Sequence, residues 1–170
     1  IYLCQYYNLM DVAKYWEQIL IINDWQQKRI SKIIVEKLFG TISGKKICIL
    51  GFAFKANTND TRESPAISVC NDLLEEGAIL NIYDPKVTKD QIKNNLNKDG
   101  LKDESINSLP SIKEAVKDSD AIVIMTEWEE FKKINWTEIY PLMRKPAWIF
   151  DTRRILEIKN IHLKKFHFWS

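Results

Sequence analysis

From Lys46 onward, short apolar runs of strand length alternate with segments of helical spacing, and this alternation restricts the fold more than any other feature. "KICIL" (46–50), "AILNIY" (78–83), "AIVIM" (121–125) and "AWIF" (147–150) read as strands, and Lys164 to Trp169 as a last one. Between them, Ser64 to Glu76 reads as a helix. Ser64 is its N-cap, Pro65 takes the first turn and Gly77 ends it. Shorter helices are expected over Thr88–Asn95, Ser111–Lys117, Trp128–Lys133 and Trp136–Met143. The polar stretch "NLNKDGLKDESINSLP" is expected to connect elements with little structure of its own. Strands alternating with helices give an α/β fold, a mainly parallel sheet with helices on both faces.

A long helix precedes this unit. From Asp11 to Phe39 apolar residues recur at helical spacing, with no internal Pro or Gly, and Gly40 stands where a C-terminal cap belongs. Such a helix would be roughly 40 Å long. It carries Trp16 and Trp25, and one short domain can hardly cover both of its ends. It is expected to act as an interdomain spine or subunit interface. The alternative is a long helix lying on its own domain. The opening "IYLCQYYNLM" reads as the end of another helix, stopped near Asn8. It has no initiator Met or signal-peptide pattern, as expected for a piece of a longer protein.

Composition removes several classes of function. The 25 basic and 23 acidic residues nearly balance, at a net charge of +2, so no nucleic-acid partner is expected. No apolar run approaches the roughly 20 residues of a membrane span. Cys4, Cys48 and Cys70 are far apart and only two histidines are present, which argues against zinc and for a reducing compartment. Cys48 lies in a strand and Cys70 in a helix, and no histidine motif surrounds any of the three. They read as structural rather than nucleophilic. His162 and His167 stand outside any motif.

Ligands of open parallel sheets bind beyond the carboxyl ends of the strands. Three such ends carry polar groups: "GFAFKANTNDTRES", "TEWEEF" and "DTRR". They would bring Lys55, Arg62, Arg153 and Arg154 to one rim, beside the N-terminus of the helix that starts at Ser64. Cations and free N–H groups together suit phosphate or pyrophosphate. The competing reading pairs Arg62 with Asp60 or Glu63, and Arg153 with Asp151, as ordinary ion pairs. Asp84 ends the second strand, where a ribose-binding acid can stand; Pro85 after it favours a plain turn. The Gly-x-Gly-x-x-Gly fingerprint of a dinucleotide site is missing.

Taken together and in order, "GFAFKANTNDTRESPA", "YDPKV", "TEWEEF" and "FDTRR", with "VAKYW" in the long helix, resemble the C-terminal part of the NAD-dependent nucleotide-sugar 6-dehydrogenases. The resemblance runs nearly end to end. It implies a central dimerisation helix over residues 1–42 and a C-terminal UDP-sugar-binding, Rossmann-like domain over 43–170. The N-terminal NAD-binding domain would lie outside this chain. It implies substrate contacts from Phe54, Lys55 and Arg153, and a contact to the cofactor NAD from Arg62. The family's nucleophilic cysteine sits in a motif that would lie upstream of Ile1. Cys4 is not its equivalent, so no catalytic residue is expected here and this chain alone should be inactive. The implied reaction oxidises UDP-glucose to UDP-glucuronate in two hydride transfers, in a cytoplasmic homo-oligomer joined through the long helix. Alternatives are a dehydrogenase of UDP-N-acetylmannosamine or GDP-mannose, or a non-catalytic nucleotide-sugar-binding and dimerisation module. The chain departs from the family at Thr152, where a glycine is usual, and mildly at Ala56-Asn57. A β-branched residue disfavours positive φ, so the turn before Arg153 is expected to differ.

Overall fold

The computed structural model describes residues 1–96, 103–157 and 166–170. Six strands form one sheet in the order β3-β2-β1-β4-β5-β6, and every neighbouring pair is parallel. The strands are β1 (Lys46–Leu50), β2 (Ile79–Tyr83), β3 (Ile106–Ser108), β4 (Ala121–Ile124), β5 (Trp148–Asp151) and β6 (His167–Trp169). The helices are α1 (Tyr2–Tyr6), α2 (Met10–Lys37), α3 (Pro65–Glu75), α4 (Lys89–Leu96), α5 (Ile112–Val116), α6 (Glu129–Lys132) and α7 (Trp136–Ile139). This order reverses direction between β1 and β4, so a crevice opens where their carboxyl ends diverge.

The centre of the sheet explains why its strands read so clearly. Ile47 to Leu50 of β1 and all of β4 are fully buried. Strands covered on both faces carry continuous apolar runs rather than alternation. On α3, Ser64 caps the helix by accepting from Ala66 N–H at 3.3 Å, and Pro65 fills the first turn. Cys70 of α3 and Cys48 of β1 are both core residues, and burial pushes both thiols up.

Four expectations change. The stretch expected to have little structure contains a 3-10 turn, Asp103–Ser105, and the unforeseen edge strand β3. Only Ile106 of β3 is buried, so the strand lacks the apolar run that marks the others. The last strand is shorter than expected, His167–Trp169; Lys164 and His162 lie outside the described residues. The helix expected over Trp136–Met143 ends at Ile139 and passes into a 3-10 turn, Tyr140–Leu142, at Pro141, which has no N–H to continue the helix. The fourth change is at the end of α2. Gly40 N–H reaches Val35 O at 2.9 Å and closes a Schellman turn, but the residue just past the cap, at φ 69°, is Phe39.

Only the last part of α2 packs on the sheet layer. Ile34 and Leu38 enter the core, and Ser31 donates to Asp72 of α3 at 2.5 Å. Further towards its start, Trp16, Leu20, Ile22 and Trp25 stay exposed.

Candidate ligand rim at the strand ends

Gly51 turns the chain out of β1 at φ 91°, its N–H bonded to Tyr83 O at 2.8 Å. A Cβ at this position would lie 2.5 Å from Thr126 Cβ and 2.8 Å from Thr126 N. The exits of β1 and β4 therefore touch at a point that only glycine can occupy. Thr126 also donates its hydroxyl to Ala53 O at 2.8 Å. Phe52 and Ala53 point into the core, which leaves Phe54 and Lys55 exposed at the rim.

The rest of this loop is latched from below. Phe54 N–H closes on Asp60 O at 2.9 Å. Lys86 Nζ reaches Asn57 O and Gln91 Nε2 reaches Asn59 O, both at 3.3 Å. Asn57 takes φ 66°, a conformation that asparagine tolerates better than most residues.

Arg153 is the structural joint of the rim. Its Nε donates to Met125 O at 2.7 Å and lies 3.5 Å from Glu127 Oε2, while a terminal nitrogen reaches Phe54 O at 3.5 Å. One guanidinium thus touches the exits of β1, β4 and β5. The expected competing pair with Asp151 does not form. Asp151 is buried and accepts backbone N–H groups instead, from Arg153 at 3.1 Å and Leu156 at 2.9 Å. Thr152 does not take the positive φ; Arg154 does, at 53°. The Thr152 hydroxyl donates to Ile124 O at 2.6 Å, so the β-branched residue helps close the turn.

Arg62 follows the ion-pair reading. It grips Asp60 through Nε at 3.0 Å and a terminal nitrogen at 2.7 Å, and its N–H adds a third bond at 3.0 Å. The guanidinium hydrogen bond holds the Asp60 carboxyl down to about 2. Lys55 adds a weaker pull on the same carboxylate. No hydrogen bond or salt bridge to Lys55 is found among the described residues.

Asp84 is engaged by protein donors on both oxygens. Its carboxylate accepts five hydrogen bonds: Phe52 N, Ala53 N and Trp128 Nε1 on one oxygen, Lys86 N and Val87 N on the other. The turn half of this pattern is readable from "DPK", because aspartate often accepts from the backbone two and three residues on. The bonds to the β1 exit and to Trp128 have no local sequence signal. Beside it, burial first and Glu130 second push the Tyr83 phenol up to about 12. Its hydroxyl donates to Glu130 at 3.2 Å.

The described rim therefore offers an exposed lysine, a pre-set arginine fork and an exposed aromatic ring. That set suits an anionic ligand with a planar or sugar-like part. Among the described residues no cluster of His, Cys, Asp and Glu can hold a metal ion, and no helix is long and apolar enough to cross a membrane.

Residues 48–158, from the first strand through the Arg153 turn, match the UDP binding domain of the UDP-glucose/GDP-mannose dehydrogenase family. The chain belongs to that family. A UDP-glucose 6-dehydrogenase of Drosophila melanogaster is 47% identical over 173 residues, covering 98% of this chain and 36% of the relative. The Bos taurus UDP-glucose 6-dehydrogenase is 46% identical, covering 92% and 33%. This family member thus spans about a third of the length of its curated relatives. Among solved structures, a UDP-D-ManNAc dehydrogenase from Pyrococcus horikoshii superposes with a TM-score of 0.67 at 29% identity, over 86% of this chain and 31% of that one. A UDP-glucose dehydrogenase from Pyrobaculum islandicum gives 0.67 at 21% identity, over 89% and 30%, and shares the fold.

Proposed function

We propose that this chain is the nucleotide-sugar-binding part of an NAD-dependent UDP-glucose 6-dehydrogenase, whose whole reaction converts UDP-glucose to UDP-glucuronate. The observation that carries the proposal is the 47% identity to a UDP-glucose 6-dehydrogenase over 98% of the chain. The rim geometry supports it. Arg153 and Lys55 neutralise and orient the diphosphate, and Phe54 packs on the adjoining part of the ligand. Arg153 is suited to this because its Nε is already anchored, which aims the terminal nitrogens without further ordering.

NAD supplies hydride acceptance, and the residues of this sheet are not themselves a dinucleotide cradle. The β1 exit has one glycine, and Asp84, in the place of a ribose acid, is filled by five protein donors. In this reading NAD is held by a domain outside the chain, with exposed Arg62 as this chain's contact to it. The nucleophile likewise lies outside. The exposed Trp16, Leu20, Ile22 and Trp25 of α2 support a homo-oligomer joined through this helix, and the unpaired cysteines support a cytoplasmic protein.

Calorimetry of this chain with UDP, UDP-glucose and GDP tests the binding role. Saturable heat with UDP and UDP-glucose and a much weaker response to GDP are expected. No heat with UDP, for a folded chain, overturns the proposal and leaves an assembly module. A preference for UDP-N-acetylmannosamine over UDP-glucose in the complete protein would reassign the sugar. NADH formation from UDP-glucose by this chain alone would contradict the placement of the nucleophile outside it.

A further inference from the structure

We infer that Asp84 is a positioning residue of the ligand rim, holding the Phe54–Lys55 loop in register with the β4 exit through Trp128; the inference rests on the nucleotide-binding reading above. Asp84 Oδ2 accepts from Phe52 N at 2.7 Å and Ala53 N at 3.0 Å, the two residues immediately before Phe54. The same oxygen accepts from Trp128 Nε1 at 3.2 Å. Trp128 directly follows Glu127, which lies 3.5 Å from Arg153 Nε. One carboxylate thus stands behind both halves of the rim, the Phe54–Lys55 side and the Arg153 side.

The arrangement needs two oxygens that both accept. Five donors converge on two oxygens, and a carboxylate is an acceptor at every position. An asparagine offers one oxygen. Its amide would set N–H groups against either the Lys86 and Val87 donors or those of Phe52, Ala53 and Trp128. Asp84, Phe52 and Trp128 are all buried, so water does not replace the lost acceptor. Because every acceptor direction is occupied by protein, Asp84 has none left for a ribose diol. The end of β2 braces the rim rather than reading the nucleoside.

The test compares the wild-type chain with Asp84→Asn and Trp128→Phe, using amide hydrogen exchange and calorimetry with UDP. In Asp84→Asn, exchange at Phe52 and Ala53 should rise by about 100-fold or more, while the amides of β4 and β5 keep their protection. UDP affinity should fall about tenfold or more. In Trp128→Phe, which removes one donor and keeps an apolar ring, affinity should fall about threefold or more with the fold intact. A purely structural acid would accelerate exchange across the whole sheet and leave the affinity of the folded fraction unchanged; either result overturns the inference. If Asp84→Asn does not fold, Trp128→Phe decides: unchanged affinity and unchanged loop exchange reject it. If the wild-type chain does not bind UDP, the functional reading fails, and the exchange contrast between the loop and the sheet still decides the role of Asp84.

Discussion

Arg153 donates its Nε–H to the carbonyl oxygen of Met125 at 2.7 Å, so an arginine at the exit of β5 is tied to the first residue beyond β4. That bond uses the one guanidinium nitrogen that lies along the side chain. The two terminal nitrogens remain at the rim, one of them 3.5 Å from Phe54 O. The fork is thus pre-aimed, and an anion meeting it has little side-chain entropy left to remove.

Arg153→Lys keeps the charge but loses both the anchor and the fork. UDP affinity should fall by about 10- to 100-fold, with the melting temperature within a few degrees of wild type. Calorimetry reads the affinity; a lysine variant that binds as tightly as the arginine would contradict the pre-aimed fork.

Gly51→Ala should be severe although it adds one methyl group. The new Cβ would meet Thr126 Cβ at 2.5 Å and the Thr126 backbone nitrogen at 2.8 Å, at φ 91°. Overpacking and backbone strain together should cost at least about 2 kcal/mol. Denaturant melts measure it, and an unchanged midpoint would show that the β1 and β4 exits can part freely.

The Asp60–Arg62 pair should survive mild acid. Its carboxyl is held at about 2, below the ordinary carboxylate value. A depressed acid contributes above its unfolded value and is lost only as pH falls through the folded one. Carbon NMR of the Asp60 carboxyl should therefore show a midpoint near 2, and a midpoint near 4 would mean the pair is open in solution. Asp60→Asn should leave the melting temperature almost unchanged, since the Arg62 side chain is 88% exposed.

The Tyr83 phenol should titrate later than an ordinary tyrosine. Burial, with Glu130 second, raises its phenol to about 12. A raised group contributes in full below its unfolded value, here about 10, and is lost as pH climbs through the folded one. Phenolate absorbance should show one late component that disappears in Tyr83→Phe. In Glu130→Gln the late component should move down but stay above the ordinary tyrosine value of about 10, because burial is the larger cause. A return to the ordinary tyrosine range would make Glu130 the main cause.

The legible parts of the molecule were those whose physics is local or periodic. The cores of β1 and β4 announced themselves because strands buried on both faces carry continuous apolar runs. β3 was hidden: three residues at an edge, "INS", with one buried side chain, carry no pattern. The cations of the rim could be named from their positions at strand ends. Asp60 could be named as a partner for Arg62, two residues away; the partners of Arg153 could not, because it pairs with the main-chain oxygens of Met125 and Phe54, and a carbonyl has no letter in a sequence. The cap of α2 was legible in part, since Gly40 closes the turn at φ 77°. Gly40 has the usual identity for a left-handed residue, yet Phe39 takes that conformation first, one position earlier.

The central place of β1 has a consequence for how this protein comes off the ribosome. One edge of β1 is matched by β2 within a few tens of residues. Its other edge waits for β4, whose approach brings Asp120 to the N–H of Lys46 across 74 positions of chain. During that interval a strand apolar from Ile47 to Leu50 stands with open hydrogen-bonding groups, the condition under which chains pair wrongly with one another. Newly made copies are therefore most exposed to aggregation midway through synthesis of this segment, and slowing translation while β4 is still inside the ribosome should lower the soluble yield more than slowing it once β4 has emerged.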